Sequence, residues 1–458
     1  MNKLWGGRFK SQGMSPEVMD FTESLSIDYV LVKYDCTASK VHAETLLEAG
    51  YITKEEKNKI CLVLDELLTE IENGTISFKG HEDIHSAVQS YVEEKAPLES
   101  KKMHTGRSRN EQVVNDVRLY CKDNIDAIVE LIENLQSAIV KLAKNNLDVI
   151  MPGYTHLNHA QPILFSHLVM SYVEMLERDK TRLLDAKKRS DISVMGSGAI
   201  AGSALNLDRF FTAKKLCFSS VSNNSIDSVS DRDFMAEFLS ALAIIGVHLS
   251  RMSEDLILYS TAEFAFVDIS EKYCTGSSLM PQKKNADVLE LIRGKSAQLI
   301  GSLNSLLVLL KGLPHAYNRD LQDDKKYLFE SVELVKKELV LFEGIISTLK
   351  VDKDKTAQQL KDEFIYATDL AEYLVRKGVA FKEAHDIVGS IIKCSISENI
   401  RIADMPLKKI KEFSKEFDKD VFDLLDPIKS VSGKKTYGST NPVMVKKEIF
   451  LWNKKMEK

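Results

Sequence analysis

From Ile125 onward, apolar residues fall at positions 125, 128, 129, 132, 135, 139 and 142. Steps of three and four place them on one face of a helix. The same period returns from Phe234 through Phe238, Leu239, Leu242, Ile245, Leu249, Met252 and Leu256. Between Val288 and Leu310 the apolar positions (Leu289, Ile292, Leu299, Ile300, Leu303, Leu306, Leu307, Leu310) are too dense for one face, so this helix needs cover on several sides. Helices of about 25 residues are ~37 Å long, beyond the usual globular length. They predict a bundle whose extra apolar faces pack on other helices, including those of other subunits. Strand alternation is rare, with Thr75 to Phe78 a short candidate, and no heptad or internal repeat is sustained.

Composition supports long helices. The 458 residues include only 9 Pro and 21 Gly, roughly half the average usage of these two breakers. No proline lies between Pro16 and Pro97, between Pro162 and Pro281, or between Pro314 and Pro406. At 44% hydrophobic and 28% charged the chain has the makings of a large core, which excludes disorder as the main state. Its net charge of −5, without long single-sign blocks, argues against a nucleic-acid protein held by phosphate contacts. The six cysteines are scattered, with no C-x-x-C pair, so neither a disulfide scaffold nor a cysteine zinc site is expected. No secretory h-region stands at the N-terminus, and no unbroken apolar run approaches the ~18 residues of a membrane span. These features predict a cytoplasmic protein with no membrane or nucleic-acid partner. The boundaries divide the chain into an N-terminal helical domain (1–108), a central long-helix bundle (109–357) and a C-terminal helical domain (358–458), with an irregular surface loop from Pro427 to Pro442.

Four stretches carry candidate chemistry. In TGSSLMPQKKNADVLELIR (275–293), Ser277 and Ser278 offer hydroxyls, and Pro281 stops any helix before Lys283, Lys284 and Asn285. A helix start with solvated lysines would also account for it, but two hydroxyls, two cations and an amide suit deprotonation beside a carboxylate. In GYTHLNHAQP (153–162), Thr155, His156 and Gln161 stand between Pro152 and Pro162, in a short turn or helix start. A lone histidine is more often structural, and His159 is closer to that reading. HTGRSRNEQVVN (104–115) opens the first long helix, where Arg107, Arg109 and Asn110 form either a carboxylate clamp or a capped helix with exposed arginines. LPHAYNRDLQDDKK (313–326) spaces Tyr317, Arg319, Gln322 and Lys325 along a polar face that could equally be solvated.

His81-Glu82-Asp83-Ile84-His85 matches the H-E-x-x-H zinc pattern, which requires both histidines on one helix face. Lys79-Gly80 directly precedes it, which puts His81 at or before the helix start. No metal is therefore assigned.

Taken together, these motifs resemble the aspartase/fumarase superfamily and, within it, the argininosuccinate lyases. The superfamily signature G-S-S-x-M-P-x-K-x-N is matched from Gly276 to Asn285. KLWGGRF near the N-terminus, EDIH (82–85), HTGRSRN (104–110), GYTH with AQP (153–162), GSGAIAG (196–202), YNRDLQDDK (317–325) and ATDLAEYLVRKG (367–378) follow in the family's order. The resemblance implies an all-α, three-domain protomer in a homotetramer with a 20-helix core, each active site being shared by three subunits. It implies reversible β-elimination of argininosuccinate to fumarate and arginine, within arginine biosynthesis and without cofactor or metal.

By the same resemblance, Ser277 is the base, Lys283 and Asn285 stabilise the developing charge, His156 supplies the proton, and Glu290 from another subunit orients it. Ser24, Asp28, Arg109, Asn110, Thr155, Tyr317, Gln322 and Lys325 are implied to bind substrate, with His85 a lesser candidate. The chain departs from the pattern at Asn158-His159, where the family usually has Gln-Arg, at Ala286 in place of proline, and at Ser203-Ala204 in place of Asn-Pro. The alternatives are a related lyase acting on adenylosuccinate, malate or aspartate, and an inactive crystallin-like structural homologue.

Overall fold

The computed structural model describes residues 15–456, so the KLWGGRF motif lies outside the described residues. The described chain is mostly helical, as expected of an all-α fold. Five long helices dominate it: Arg109–Asn145, Phe165–Ser190, Asp233–Ser260, Asp287–Leu310 and Asp324–Thr348. The periodicities read from sequence coincide with their buried faces. Ile125, Ile128, Ile132, Leu135 and Ile139 are all fully buried, as are Phe238, Leu239, Leu242, Ile245, Leu249 and Met252. On Asp287–Leu310 one face, with Leu289, Ile292, Leu299 and Leu306, is buried, while Leu291, Ile300, Leu307 and Val308 stay exposed. Asp233–Ser260 is long and apolar enough, by length and composition, to cross a membrane. No unbroken apolar run in it reaches that length, and most of its apolar side chains, Phe238, Leu239, Leu242, Ile245 and Leu249 among them, are buried as core.

Two compact units divide the chain, and the division falls inside each long helix. One unit holds residues up to Val129 with Asp179–Gly246 and Lys295–Lys336; the other holds Glu130–Arg178, Val247–Gly294 and the chain from Lys337 onward.

In the first unit, Val32–Glu48 and Lys54–Glu72 precede Ile84–Lys95. Thr53 caps the second of these through a reciprocal box with Glu56, which satisfies two orphan backbone donors. Tyr120 packs on Phe329 with ring centroids 4.6 Å apart, joining two of the long helices. Gly246 lets Leu299 approach to within 2.5 Å of where a Cβ would stand, so a side chain there would have to displace the leucine. Thr75 to Phe78 forms no strand; with no neighbouring strand to pair with, alternation alone does not make one.

In the second unit the strands Ile150–Thr155 and Asn158–Leu164 form an antiparallel hairpin. The GYTH segment is thus a hairpin tip and not a helix start. Val267–Asp268 pairs with Lys350–Val351. The C-terminal helices Ala367–Arg376 and Phe381–Glu398 pack around Leu370, Leu374, Val388, Ile391 and Phe417. The stretch expected to be loop from Pro427 to Pro442 contains a helix, Pro427–Gly433, because Asp426 caps it through Lys429 N–H at 2.8 Å and Pro427 suits its first position.

Candidate active site

The first unit holds seven residues expected to bind substrate: Ser24, Asp28, Arg109, Asn110, Tyr317, Gln322 and Lys325. Ser24 Oγ donates to Asp28 Oδ2 at 2.5 Å, and Lys325 Nζ lies 3.9 Å from Asp28 Oδ1 and 3.2 Å from Asp324 Oδ1. Arg232 closes the row with an ion pair to Asp324. Two carboxylates thus alternate with two cations, which lets four buried charges coexist. Burial raises the Asp28 pKa, with Lys325, His85 and Ser24 opposing it. Burial alone would lower that of Lys325, yet Asp324 and Asp28 carry it above the ordinary lysine value. Asp28 Oδ1 has no hydrogen-bond partner, so one strong acceptor remains for an incoming donor. Burial also raises the Tyr317 pKa. Gln322 donates to Thr22 O at 3.1 Å.

The two arginines expected as a clamp separate. Arg109 Nη1 pairs with Asp83 Oδ1 at 2.6 Å, and Asp83 caps Ile84–Lys95 through Ser86 N–H at 2.7 Å. Burial would raise the Asp83 pKa, but Arg109, His85 and the Ser86 donor outweigh it and bring it to about 2. Arg107 is buried and donates to Ser39 Oγ at 3.0 Å, so it serves the interior. Asn110 Nδ2 donates to Ala199 O at 3.1 Å, tying the helix start to the GSGAIAG loop.

Asp83 as N-cap leaves His81 outside the helix, so the H-E-x-x-H histidines do not share a helical face and the zinc-protease geometry is absent. His85 is buried between two carboxylates, its Nδ1 3.3 Å from Asp35 and 3.5 Å from Asp116. These three groups could hold an ion by proximity. Arg107, however, acts on both carboxylates and supplies positive charge to that pocket. Burial would raise the Asp35 pKa, but His85, Arg107 and Gln112 hold it low. Asp116 is pushed well up by burial and by Asp35.

The second unit holds the remaining candidates in two places. At the hairpin tip, Thr155 and His156 are exposed and line a cavity of about 530 Å³ with Gln161, His167, Asp255 and Tyr259. Burial lowers the His167 pKa and raises that of Asp255, whose Oδ2 accepts from Tyr172 at 2.8 Å.

Ser277, Lys283 and Asn285 lie on a loop pinched at its base. Thr275 N–H donates to Asn285 O at 3.1 Å and Asn285 N–H to Thr275 O at 2.8 Å. Lys284 pairs with Asp268 at 2.6 Å. Ser277 Oγ accepts N–H groups from Met280 at 3.0 Å and Leu279 at 3.3 Å. Glu290 is exposed in the first turn of Asp287–Leu310.

Comparison with known proteins follows the motifs. Residues 7–301 match a family model described as lyase, and 364–432 one described as argininosuccinate lyase C-terminal. The argininosuccinate lyase of Bacillus velezensis is 46% identical over 444 residues, 96% of each chain. That of Bacillus subtilis is 45% identical over 96% of this chain and 95% of its own.

The chain belongs to the argininosuccinate lyase family.

Solved structures extend the likeness to the wider fold. A structure of EDDS lyase in complex with formate has a TM-score of 0.83 at 25% identity, covering 98% of this chain and 91% of its own. A class II fumarase from Schistosoma mansoni has a TM-score of 0.73 at 15% identity, over 87% and 90%, and shares the fold alone.

For an argininosuccinate lyase family member, the sequence reading passed over Asp83, Glu111, Asp324 and Arg232. Asp83 stands inside the quoted EDIH. Ser108 and Glu111 fit the S-x-x-E capping pattern, with Ser108 N–H donating to Glu111 Oε1 at 2.9 Å. Arg232 and Asp324, 92 positions apart in sequence, left no local signal.

Proposed function

We propose that the chain catalyses the reversible β-elimination of argininosuccinate to fumarate and L-arginine, in the cytoplasm and within arginine biosynthesis. The observation that carries this reading is near-full-length identity of 45–46% with curated argininosuccinate lyases. Ser277 takes a proton from the carbon next to a succinate carboxylate. The electron pair left behind forms the fumarate double bond as the carbon–nitrogen bond breaks, and His156 protonates the departing guanidine nitrogen. Two N–H donors on Ser277 Oγ favour its alkoxide, as preorganised dipoles favour any developing oxyanion. Lys283 and Asn285, on the same loop, meet the charge that accumulates on the carboxylate. Ser24, Asp28, Arg109, Asn110, Thr155, Tyr317, Gln322 and Lys325 bind substrate; Asp28 Oδ1, which accepts no hydrogen bond and has only the distant Lys325 charge beside it, suits a guanidinium.

We further assign a three-domain protomer (1–108, 109–357, 358–458) and a homotetramer in which three subunits share each site, with Glu290 orienting His156 across an interface. Exposed Leu291, Ile300, Leu307 and Val308 on one central helix support burial against other copies. The activity test is fumarate release, read by ultraviolet absorbance, on adding argininosuccinate. Release from adenylosuccinate or aspartate but none from argininosuccinate would overturn the reading. The shared site is tested by co-expressing Ser277→Ala and His156→Asn chains. Mixed tetramers regain part of the activity if sites are shared, and none if each site is built from one chain.

A further inference from the structure

The turn that carries His156 is held in a conformation its own residues disfavour. Thr155 pairs with Asn158, so His156 and Leu157 form a two-residue turn, and both have left-handed backbones, with φ of 55° and 59°. Such turns ordinarily use glycine or asparagine, because a Cβ crowds the following carbonyl by roughly 1–2 kcal/mol per residue. Strain of this kind persists only where the surroundings over-determine it.

The strand ladder holds the tip through two rungs, Thr155–Asn158 and Tyr154–His159, and is interrupted just behind them. Pro152 stands opposite Pro162, and neither ring nitrogen can donate a ladder hydrogen bond. Just beyond this rung the register shifts, between Pro152 and Tyr154. Side chains reinforce those two rungs. Tyr154 packs against His159 and Phe264, with ring centroids 5.2 and 5.6 Å away. His159 Nδ1 lies 2.9 Å from Asp362 Oδ2, and Asp362 is itself immobilised, since its Oδ1 caps Glu363–Tyr366 through Phe364 N–H at 3.1 Å. That short helix is rooted by buried Ile365 and Tyr366. The His156 ring, by contrast, is exposed and makes no hydrogen bond with the described residues, so the turn backbone alone sets its aim.

We propose that the His159–Asp362 pair is a latch that positions the His156 turn, fastening it to the C-terminal segment. His159 and Asp362 are positioning residues that act through His156. The proposal rests on the reading of His156 as the proton donor, and the experiment separates the two. Full-length His159→Ala and Asp362→Asn chains, their double mutant and His159→Arg are compared by hydrogen exchange of the amides in 153–161 and by kcat and KM for argininosuccinate.

The expected result is faster exchange confined to that segment in each single variant, no further gain in the double, and return toward the parent rate with His159→Arg. With it kcat falls roughly tenfold, the order expected of a misplaced reacting group, while KM changes less than about twofold. Unchanged exchange at the tip in both single variants overturns the latch, whatever the activity. Exchange that rises equally across the whole chain also overturns it, since that marks general destabilisation. Faster exchange at the tip with kcat unaltered overturns instead the role given to His156.

Discussion

Glu111 joins two segments that lie far apart in sequence: its Oε2 accepts the Gly198 N–H at 3.0 Å, while its Oε1 accepts that of Ser108 at 2.9 Å. The carboxylate is fully buried, and burial raises its pKa against the pull of the Ser108 and Gly198 donors. Through it the GSGAIAG loop is fastened to the start of the helix that bears Arg109 and Asn110. Replacing it with alanine leaves buried N–H groups without acceptors, at about 1–3 kcal/mol each. Glu111→Ala is expected to lose about 2–5 kcal/mol in urea unfolding and to raise KM through the Asn110–Ala199 contact. A variant as stable as the parent would show that water replaces the carboxylate.

Gly198 offers a second test of the same loop. Its φ is +63° and a Cβ there would stand 2.6 Å from Gly202 O, a backbone atom that cannot swing aside. Gly198→Ala should therefore destabilise by about 2 kcal/mol or more, read as a lower midpoint of thermal unfolding. Gly50, with φ +79° and nothing within 4 Å of its Cβ position, provides the control, because Gly50→Ala carries the backbone strain without the collision and should cost less.

Stability should depend on pH through His42. Its ring is buried, and its Nε2 donates to Thr105 O at 3.1 Å. Burial, reinforced by Arg107 and opposed by the Thr105 bond, pushes its pKa from 6.5 down to about 3. A folded value below the unfolded one means that the neutral ring favours folding. That contribution is complete above pH 6.5 and is lost as pH falls toward 3, on the order of 5 kcal/mol in all. The stability gap between the parent and His42→Gln should narrow steadily from pH 6.5 to pH 4. A gap that stays constant over that range would show that His42 titrates alike in both states.

Ser277→Ala removes one hydroxyl that accepts two N–H groups in an exposed loop and no core area. Turnover should fall by several orders of magnitude with the unfolding midpoint and substrate binding nearly unchanged. Near-normal kcat would remove Ser277 from the role of base.

His156→Asn should likewise lower kcat strongly, since the exposed ring supports nothing around it. A change confined to KM would make His156 a binding residue.

The sequence by itself determined the long helices, their buried faces and the family, because those rest on local periodicity and on motifs written in consecutive residues. It also singled out Ser277, His156 and Arg109 as candidates by type and neighbourhood. It misjudged Thr75 to Phe78, since whether an extended segment becomes a strand depends on a partner that local pattern does not name, and it left GYTH open between a turn and a helix start, of which the fold takes the turn. Tertiary structure alone decided that Arg107 faces the interior while Arg109 meets Asp83, two positions apart but on opposite sides of a helix start. It alone decided that Asp28, Lys325, Asp324 and Arg232 form one alternating row and that Asp362 reaches back to His159. Each of these pairings joins charges separated by up to hundreds of residues, and burial, which gives a charge pair its strength and its specificity, exists only once the chain has folded around it.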